Sequence, residues 1–414
     1  MISHQLNAAT RPLIAIDEAM ERLLSSCKPV SCQRIALGES VGRVLAESAI
    51  SDRPSPAFDA SAMDGITIRL ADLPELSTGG LPISGEAAIG MPVRLLQAGT
   101  AMYIFTGGPV PDGAQVVIKR EELEEQENTV RFLGDPGSIS VGQHIRRMGE
   151  NCQSGTEIAH AGDLVTPAMI GTLSSFGVNQ PLVRRKVRVV ILVTGDEIDP
   201  DGQNPDRTRL RDSNGPAIEA MLALCPWIEI VERKTVLDHP NALRAAIESA
   251  IEQADCVLST GGVSMGDHDW VPEIVESLGA EELFHRLAIK PGKPVFAATV
   301  SDSKLYLGLP GNPVSALITA RRVAIPALSA LAGFAHDSRS GANATVTAAN
   351  PDQIKAHPLT RFLLCNRNGC DRVEVICGKG SGDSVSSARS DGFIEVPPSA
   401  TGDGDYNFYS WDCR

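Results

Sequence analysis

The sequence predicts a multidomain α/β-plus-β protein: a doubly wound α/β domain, a β-rich domain inserted ahead of it, and a small β-barrel at the carboxyl end. Three observations predict it. The run Val187–Val193 (VRVVILV) is almost continuously apolar, as expected of a parallel strand buried on both faces. Strand-like and helix-like segments then alternate as far as Leu331, the pattern of a parallel sheet covered by helices. On either side of that block, short β-branched runs are broken by Gly and Pro, the signature of small antiparallel β domains.

Taken in order, Ile16–Leu24 places Met20, Leu23 and Leu24 on one face behind Asp17, which predicts an amphipathic helix. From about Ser51 to Ile145 the strands are short: Gly65–Ile68, Met102–Phe105 and Gln115–Ile118. The acidic run Glu121–Glu125 reads as a solvated loop. Past Arg184, Asn214–Leu224 and the face Leu243, Ile247, Ile251 predict helices, while Ile228–Val231 and Cys256–Leu258 predict strands. Beyond Gly333, Ala344–Thr347, Arg372–Ile376 and Gly392–Val396 predict a small terminal β-barrel or sandwich.

Composition narrows the function. With 414 residues, the chain suits about two to four domains. Its 43% hydrophobic and 21% charged residues are the balance of a folded protein. A net charge of −14 argues against nucleic acid and anionic membrane as partners, and 4% aromatics leave no stacking platform for single strands. Any anionic substrate must be held by a local device. No uninterrupted apolar run approaches the roughly 18 residues of a membrane helix, and the amino terminus does not read as a signal peptide. Nine cysteines without a C-x-x-C pair predict reduced, structural thiols in a reducing cytoplasm.

Four turns carry the chemistry. Strand VRVVILV runs into Thr194-Gly195-Asp196-Glu197, and in open α/β sheets ligands bind at that carboxyl edge. The strand at Cys256–Leu258 runs into Ser259-Thr260-Gly261-Gly262-Val263-Ser264, followed by Asp267-His268-Asp269; such glycines let backbone N–H groups close on a phosphate. Lys290-Pro291-Gly292-Lys293-Pro294 makes a compact cationic site. Leu305–Leu307 leads to Pro310-Gly311-Asn312-Pro313, where Asn312 can cap and Pro313 can start a helix with its N–H groups free. Read singly, each such turn is more often a tight connection, and Asp196 or Asp269 is as readily a helix cap as a ligand. Four in one α/β block, with acids and lysines of complementary charge, predict a phosphate pocket that can also hold magnesium.

In order along the chain, FDASAMDG, TGGPVPDGA, GQHIRRMGE, VTGDE, RDSNG, STGGVSMGDHDW, LAIKPGKP and LGLPGNPVSA closely resemble the motifs of the molybdopterin molybdenumtransferase family, which includes the carboxyl-terminal domain of gephyrin. They span Phe58 to Ala316. The resemblance implies an elongated linking domain (1–55 with 146–184), a β-rich inserted domain (56–145), an α/β molybdopterin-binding domain (185–331) and a carboxyl-terminal β-barrel (332–414). It implies a homodimer that converts adenylyl-molybdopterin and molybdate into the molybdenum cofactor and AMP, with Mg2+ required. Molybdopterin adenylyltransferase and recipient molybdoenzymes or their chaperones are the implied partners.

By the same resemblance, Glu197, Asp238 and Asp269 are the acidic pocket and metal-binding residues, and Lys290 and Lys293 bind phosphate. Gly195, Ser259, Gly261, Gly262, Ser264, Pro310, Asn312, Pro313 and, more loosely, Ser386 complete the substrate site. Asp59 and Thr106 act from the other subunit. Three departures are visible: Asn151 follows Glu150 where the family usually carries Asp, Arg286 replaces a lysine that is common there, and the serine-rich stretch Ser381–Ser387 follows the family pattern loosely. Rival functions are the sister adenylyltransferase or nucleotide-pyrophosphate hydrolase activity, and a non-catalytic scaffold like gephyrin. The β-rich insertion and terminal β domain favour the transferase over the former, and the retained acids and lysines favour it over the latter.

Overall fold

A computed structural model describes residues 12–199, 208–263, 270–301, 304–335 and 341–412. The chain divides into two compact units: 1–47 with 160–170 and 180–414, and 48–159 with 171–179.

In the second unit a six-stranded sheet runs in the order Val116–Lys119, Gly65–Ile68, Ala101–Ile104, Leu81–Ala87, Thr129–Phe132, Leu123–Gln126. Helix Leu73–Thr78 drops Leu73 and Leu76 onto Ile66, Ile68 and Val116 to make its core. The acidic run expected as a loop is instead a short helical turn and an edge strand, because Leu123–Gln126 pairs antiparallel with Thr129–Phe132.

The first unit holds helix α1 (Ile16–Ser26) and a sheet of β1 (Val187–Thr194), β2 (Ile228–Val236), β3 (Cys256–Thr260), β4 (Glu281–His285), β5 (Phe296–Val300) and β6 (Lys304–Leu309), in the order β2-β1-β3-β6-β5-β4. The first four in that order are parallel; β5 and β4 are antiparallel additions at one edge. Side chains alternate along β1. Val189 and Ile191 face α1 and α2 (Asn214–Ala223), whereas Val190 and Leu192 face α3 (Pro240–Gln253) and α4 (Val271–Ser277). Both faces are thus covered, which is why the β1 sequence lacks polar alternation. Each fully buried aliphatic side chain there contributes about 1.5–3 kcal/mol.

After β6 comes a continuous helical stretch: α5 (Pro313–Thr319), a π-helical turn (Ala320–Ala324) and α6 (Ile325–Leu331). At 19 residues it is long and apolar enough to cross a membrane, contrary to the expectation from uninterrupted runs, but 94% of its 18-residue apolar window is buried in the core. Arg321 and Arg322 interrupt the apolar run and hid its length. Pro326 accounts for the π turn: it has no N–H for the Arg322 carbonyl, and its ring would strike that oxygen in a regular helix.

The chain ends in strands β7 (Ala344–Ala348), β8 (Thr360–Arg367), β9 (Arg372–Val375), β10 (Gly392–Val396) and β11 (Asp405–Ser410), with helix α7 (Ser384–Ala388) between β9 and β10. They pair as β8-β9-β7-β11-β10, and β10 returns to β8, closing a five-stranded barrel. Alternation again assigns the faces. Cys365 and Ile394 fill the barrel, while Phe362, Leu364 and Phe393 point out and join the α/β core.

Candidate functional site

A cavity of about 930 Å³ opens at the carboxyl edge of β1, β3 and β6, and every residue lining it belongs to the first unit. All four turns singled out in the sequence reach it: Thr194, Glu197 and Ile198 after β1; Thr260–Val263 after β3; Lys290–Pro294; and Pro310–Ser315 after β6. A crevice at this edge, beyond parallel strands, is where open α/β sheets bind ligands.

Backbone constraints set the shape of the turns. Gly261 has φ +87°, and a Cβ there would lie 2.6 Å from the Thr194 carbonyl oxygen. Only glycine lets the β3 turn lie against the end of β1. After β1 the Glu197 side chain curls back over Gly195, where a Cβ would come within 2.6 Å of its Oε1. The Glu197 carbonyl accepts from the Leu210 N–H at 2.7 Å, and this holds the turn to the segment leading into α2. Asn214, buried at the start of α2, donates from Nδ2 to the Gly311 carbonyl at 2.7 Å and ties that helix to the loop after β6. Asp212 accepts from the Gly215 N–H at 2.8 Å and is paired with Arg233 at 3.1 Å.

The charge at the mouth is cationic. Lys290 and Lys293 are both exposed and line the cavity, and among the described residues neither has an ion-pair partner. The barrel supplies a wall: Arg361, Phe362, Leu363, Leu364, Ile376, Gly378, Gly380 and Ser381. Among the described residues, Arg361 Nε and its second terminal nitrogen are buried without a hydrogen-bond partner. The Ser381 carbonyl accepts from the Val314 N–H at 3.0 Å, so the barrel caps the first turn of α5. Asn312 sits at the cap position of α5 with Pro313 inside the helix, and its side chain makes no capping bond.

The remaining candidates separate. Pro310, Asn312 and Pro313 line the cavity, as do Gly261 and Gly262. Gly195 and Ser259 lie behind the lining, and the Ser259 hydroxyl is fully buried. Asp238, at the end of β2, is outside the lining; its N–H donates to Asp196 Oδ1 at 3.0 Å. Ser264 and Asp269 lie outside the described residues. Among the described residues, no three His, Cys, Asp or Glu side chains gather as a metal group. Ser386 does not line the cavity; its hydroxyl donates to Asp383 Oδ2 at 2.6 Å. The Lys379 N–H and the Ser386 side chain and N–H hold the Asp383 carboxyl down at about 2.

Asp59 and Thr106 belong to the second unit. Asp59 accepts from the Met148 N–H at 2.8 Å and from Arg147 at 2.6 Å, and these bonds hold its carboxyl below the usual range. Thr106 donates from both N–H and hydroxyl to Asp64 Oδ1, at 2.8 and 2.7 Å. Sequence reasoning did not single out Asn214 or Arg361, and it named Ser381 only as the start of the serine-rich stretch Ser381–Ser387. Asn214 could have been taken from the RDSNG string, whereas Arg361 sits in no local motif.

Comparison with known proteins agrees with this geometry. The profile of the MoeA N-terminal region (domain I and II) matches residues 14–177, and that of a probable molybdopterin binding domain matches residues 190–330. A molybdopterin molybdenumtransferase of Haemophilus influenzae is 32% identical over 324 residues, covering 78% of each chain. One from Nostoc sp. is 36% identical over 301 residues, covering 71% of this chain and 68% of its own. The crystal structure of a molybdopterin biosynthesis MoeA protein from Pyrococcus horikosii superposes with a TM-score of 0.78 at 25% identity, covering 97% of this chain and 99% of that one. The chain belongs to the molybdopterin molybdenumtransferase family.

Proposed function

We propose that this enzyme inserts molybdate into adenylyl-molybdopterin and releases AMP to form the molybdenum cofactor. One observation carries the reading: two lysines without ion-pair partners among the described residues, a glycine turn and a carboxylate line one cavity at the carboxyl edge of the sheet. Lys290 and Lys293 neutralise the phosphoanhydride; the Gly261 N–H is spent on the Leu309 carbonyl at 3.1 Å, so from this turn it is the Gly262 N–H that holds a phosphate oxygen. Hydrolysis of the anhydride breaks one P–O bond, and the charge gathering on the departing AMP is stabilised by the same lysines. The mostly apolar barrel face at Phe362–Leu364 shields the site from bulk water.

Glu197 fits a role in magnesium binding, because a hard carboxylate oxygen beside a phosphate site is the combination that ion uses. Asp238 and Asp269 are its proposed companions. Bound there, magnesium would neutralise phosphoanhydride charge. We also propose the four-domain division set out above, a homodimer in which Asp59 and Thr106 of a second copy close the site, and delivery to molybdoenzymes or their chaperones in the cytoplasm. The test is cofactor formation from adenylyl-molybdopterin, magnesium and low molybdate, with AMP release followed for wild type and Glu197→Ala. Stoichiometric AMP and active cofactor, both lost in the variant, support the reading; a folded wild type that releases no AMP refutes it.

A further inference from the structure

The helical stretch that begins at the cavity also carries two arginines that the proposed chemistry does not use. Arg321 and Arg322 lie about two turns beyond Val314, in the π-helical segment, and both are buried. Both reach the barrel, and Arg322 also pairs with the exposed Asp17 of α1 at 3.2 Å. Arg321 donates to the Ser410 carbonyl at 2.8 Å, the Gly341 carbonyl at 2.6 Å and Asn343 Oδ1 at 2.7 Å. Arg322 pairs with Glu395 on β10 at 2.8 Å, and the Tyr409 hydroxyl on β11 donates to the same carboxylate at 2.6 Å. Each guanidinium carbon also stands 5.7 Å from the Tyr409 ring centre.

A buried ion pair gives little net stability over a well-packed apolar pair, because both charges must leave water. What it supplies is direction: a planar guanidinium accepts a carboxylate in few orientations. Here it joins the helix whose first turn lines the cavity to the barrel that walls the same cavity. On the cavity side, the Val314 N–H to Ser381 carbonyl bond joins the helix to the barrel, and Ile289–Lys290 pairs with Thr360–Arg361 of β8.

We infer that Arg322, supported by Arg321, is a positioning residue, latching the barrel to the helix so that the Arg361–Leu364 and Ile376–Ser381 wall stands at the substrate cavity. The inference rests on the proposed site for its consequence in binding, not for the latch itself. Arg322→Met alone strands the Glu395 charge, so the decisive variant is the double Arg322→Met, Glu395→Gln, which removes both charges and leaves Tyr409 a partner. Hydrogen exchange on the full chain is read at the Val314 amide and at residues 376–383, with β1 amides as the internal standard. The expected result is exchange accelerated about tenfold or more at the first two and unchanged at β1. AMP then binds about tenfold to a hundredfold more weakly, the scale on which small misplacements act. Arg322→Lys, which keeps a charge opposite Glu395, retains most of the protection. Protection at Val314 and 376–383 within twofold of wild type in the folded double variant overturns the latch. Wild type that fails to bind AMP refutes the site reading instead, and exchange alone then decides the latch.

Discussion

Gly261 gives the sharpest test of how the site is built. Replacing it with alanine brings two separable costs. Its φ of +87° is a left-handed conformation, which costs an L-residue about 1–2 kcal/mol. The new Cβ would also lie 2.6 Å from the Thr194 carbonyl oxygen and 2.9 Å from its hydroxyl, contacts that neither β1 nor the turn can relieve cheaply. Overpacking of this kind costs about 1–3 kcal/mol more. Gly279, in the same unit, separates the terms: its φ is +85° but nothing lies within 4 Å of its Cβ position. Gly279→Ala should therefore lose about 1–2 kcal/mol, and Gly261→Ala about 2–5 kcal/mol. Urea unfolding followed through Trp227, which is buried in the α/β core, measures both. AMP binding should fall only for Gly261→Ala, because only that turn lines the cavity. Equal losses for the two variants, or unchanged AMP affinity in Gly261→Ala, would refute the close approach as the reason for glycine.

Lys293→Ala should weaken AMP binding about tenfold, roughly 1.4 kcal/mol, and leave the unfolding midpoint unchanged because the side chain is exposed and has no ion pair among the described residues; isothermal titration with a urea titration checks both. Asp255 is depressed below the ordinary carboxylate range: burial raises it, but bidentate bonds from Arg185 at 2.6 and 2.7 Å and the Arg188 N–H outweigh that. Its stabilisation is therefore fully present above about pH 4 and is lost as pH falls through the lower folded value. Asp255→Asn should cost about 1.5–3 kcal/mol at pH 7, and its difference from wild type should shrink below about pH 4, as read by denaturation at several pH values.

Strand β1 was legible because burial on both faces removes polar alternation. The edge strand β2 runs to Val236 rather than Val231, and its far half, Glu232–Thr235, shows why it was read short. It pairs only with β1, so its polar residues face solvent and mask the strand. The turns of the site were legible for a related reason. Glycine, proline, lysine and acid in short order after a strand report a backbone that must bend and a charge that must be met. The far wall had no such mark. Arg361 and Ser381 are brought to the cavity by closure of the barrel, a long-range event that no local spacing encodes. Ser386 lies within α7, five residues past the cavity-lining Ser381, and its hydroxyl is held by Asp383, the α7 cap.

The overall charge of −14 and the proposed anionic substrate pull in opposite directions, and salt decides which field governs binding. Surface carboxylates beyond about 8 Å are largely screened at physiological ionic strength, whereas Lys290 and Lys293 stand in the cavity lining itself. Of the two acids in that lining, Glu197 and Asp212, the second already has its charge met by Arg233, which leaves one carboxylate against the two lysines. If the global field governed, added salt would relieve repulsion and tighten AMP. If the local lysines govern, salt competes with them and AMP weakens. We expect the second: Kd should rise between low and high salt in wild type, and that rise should flatten in Lys290→Ala and Lys293→Ala. A Kd that falls with salt in wild type would mean that the acidic surface, not the cavity, sets the affinity, and the local device inferred from two lysines would lose its basis.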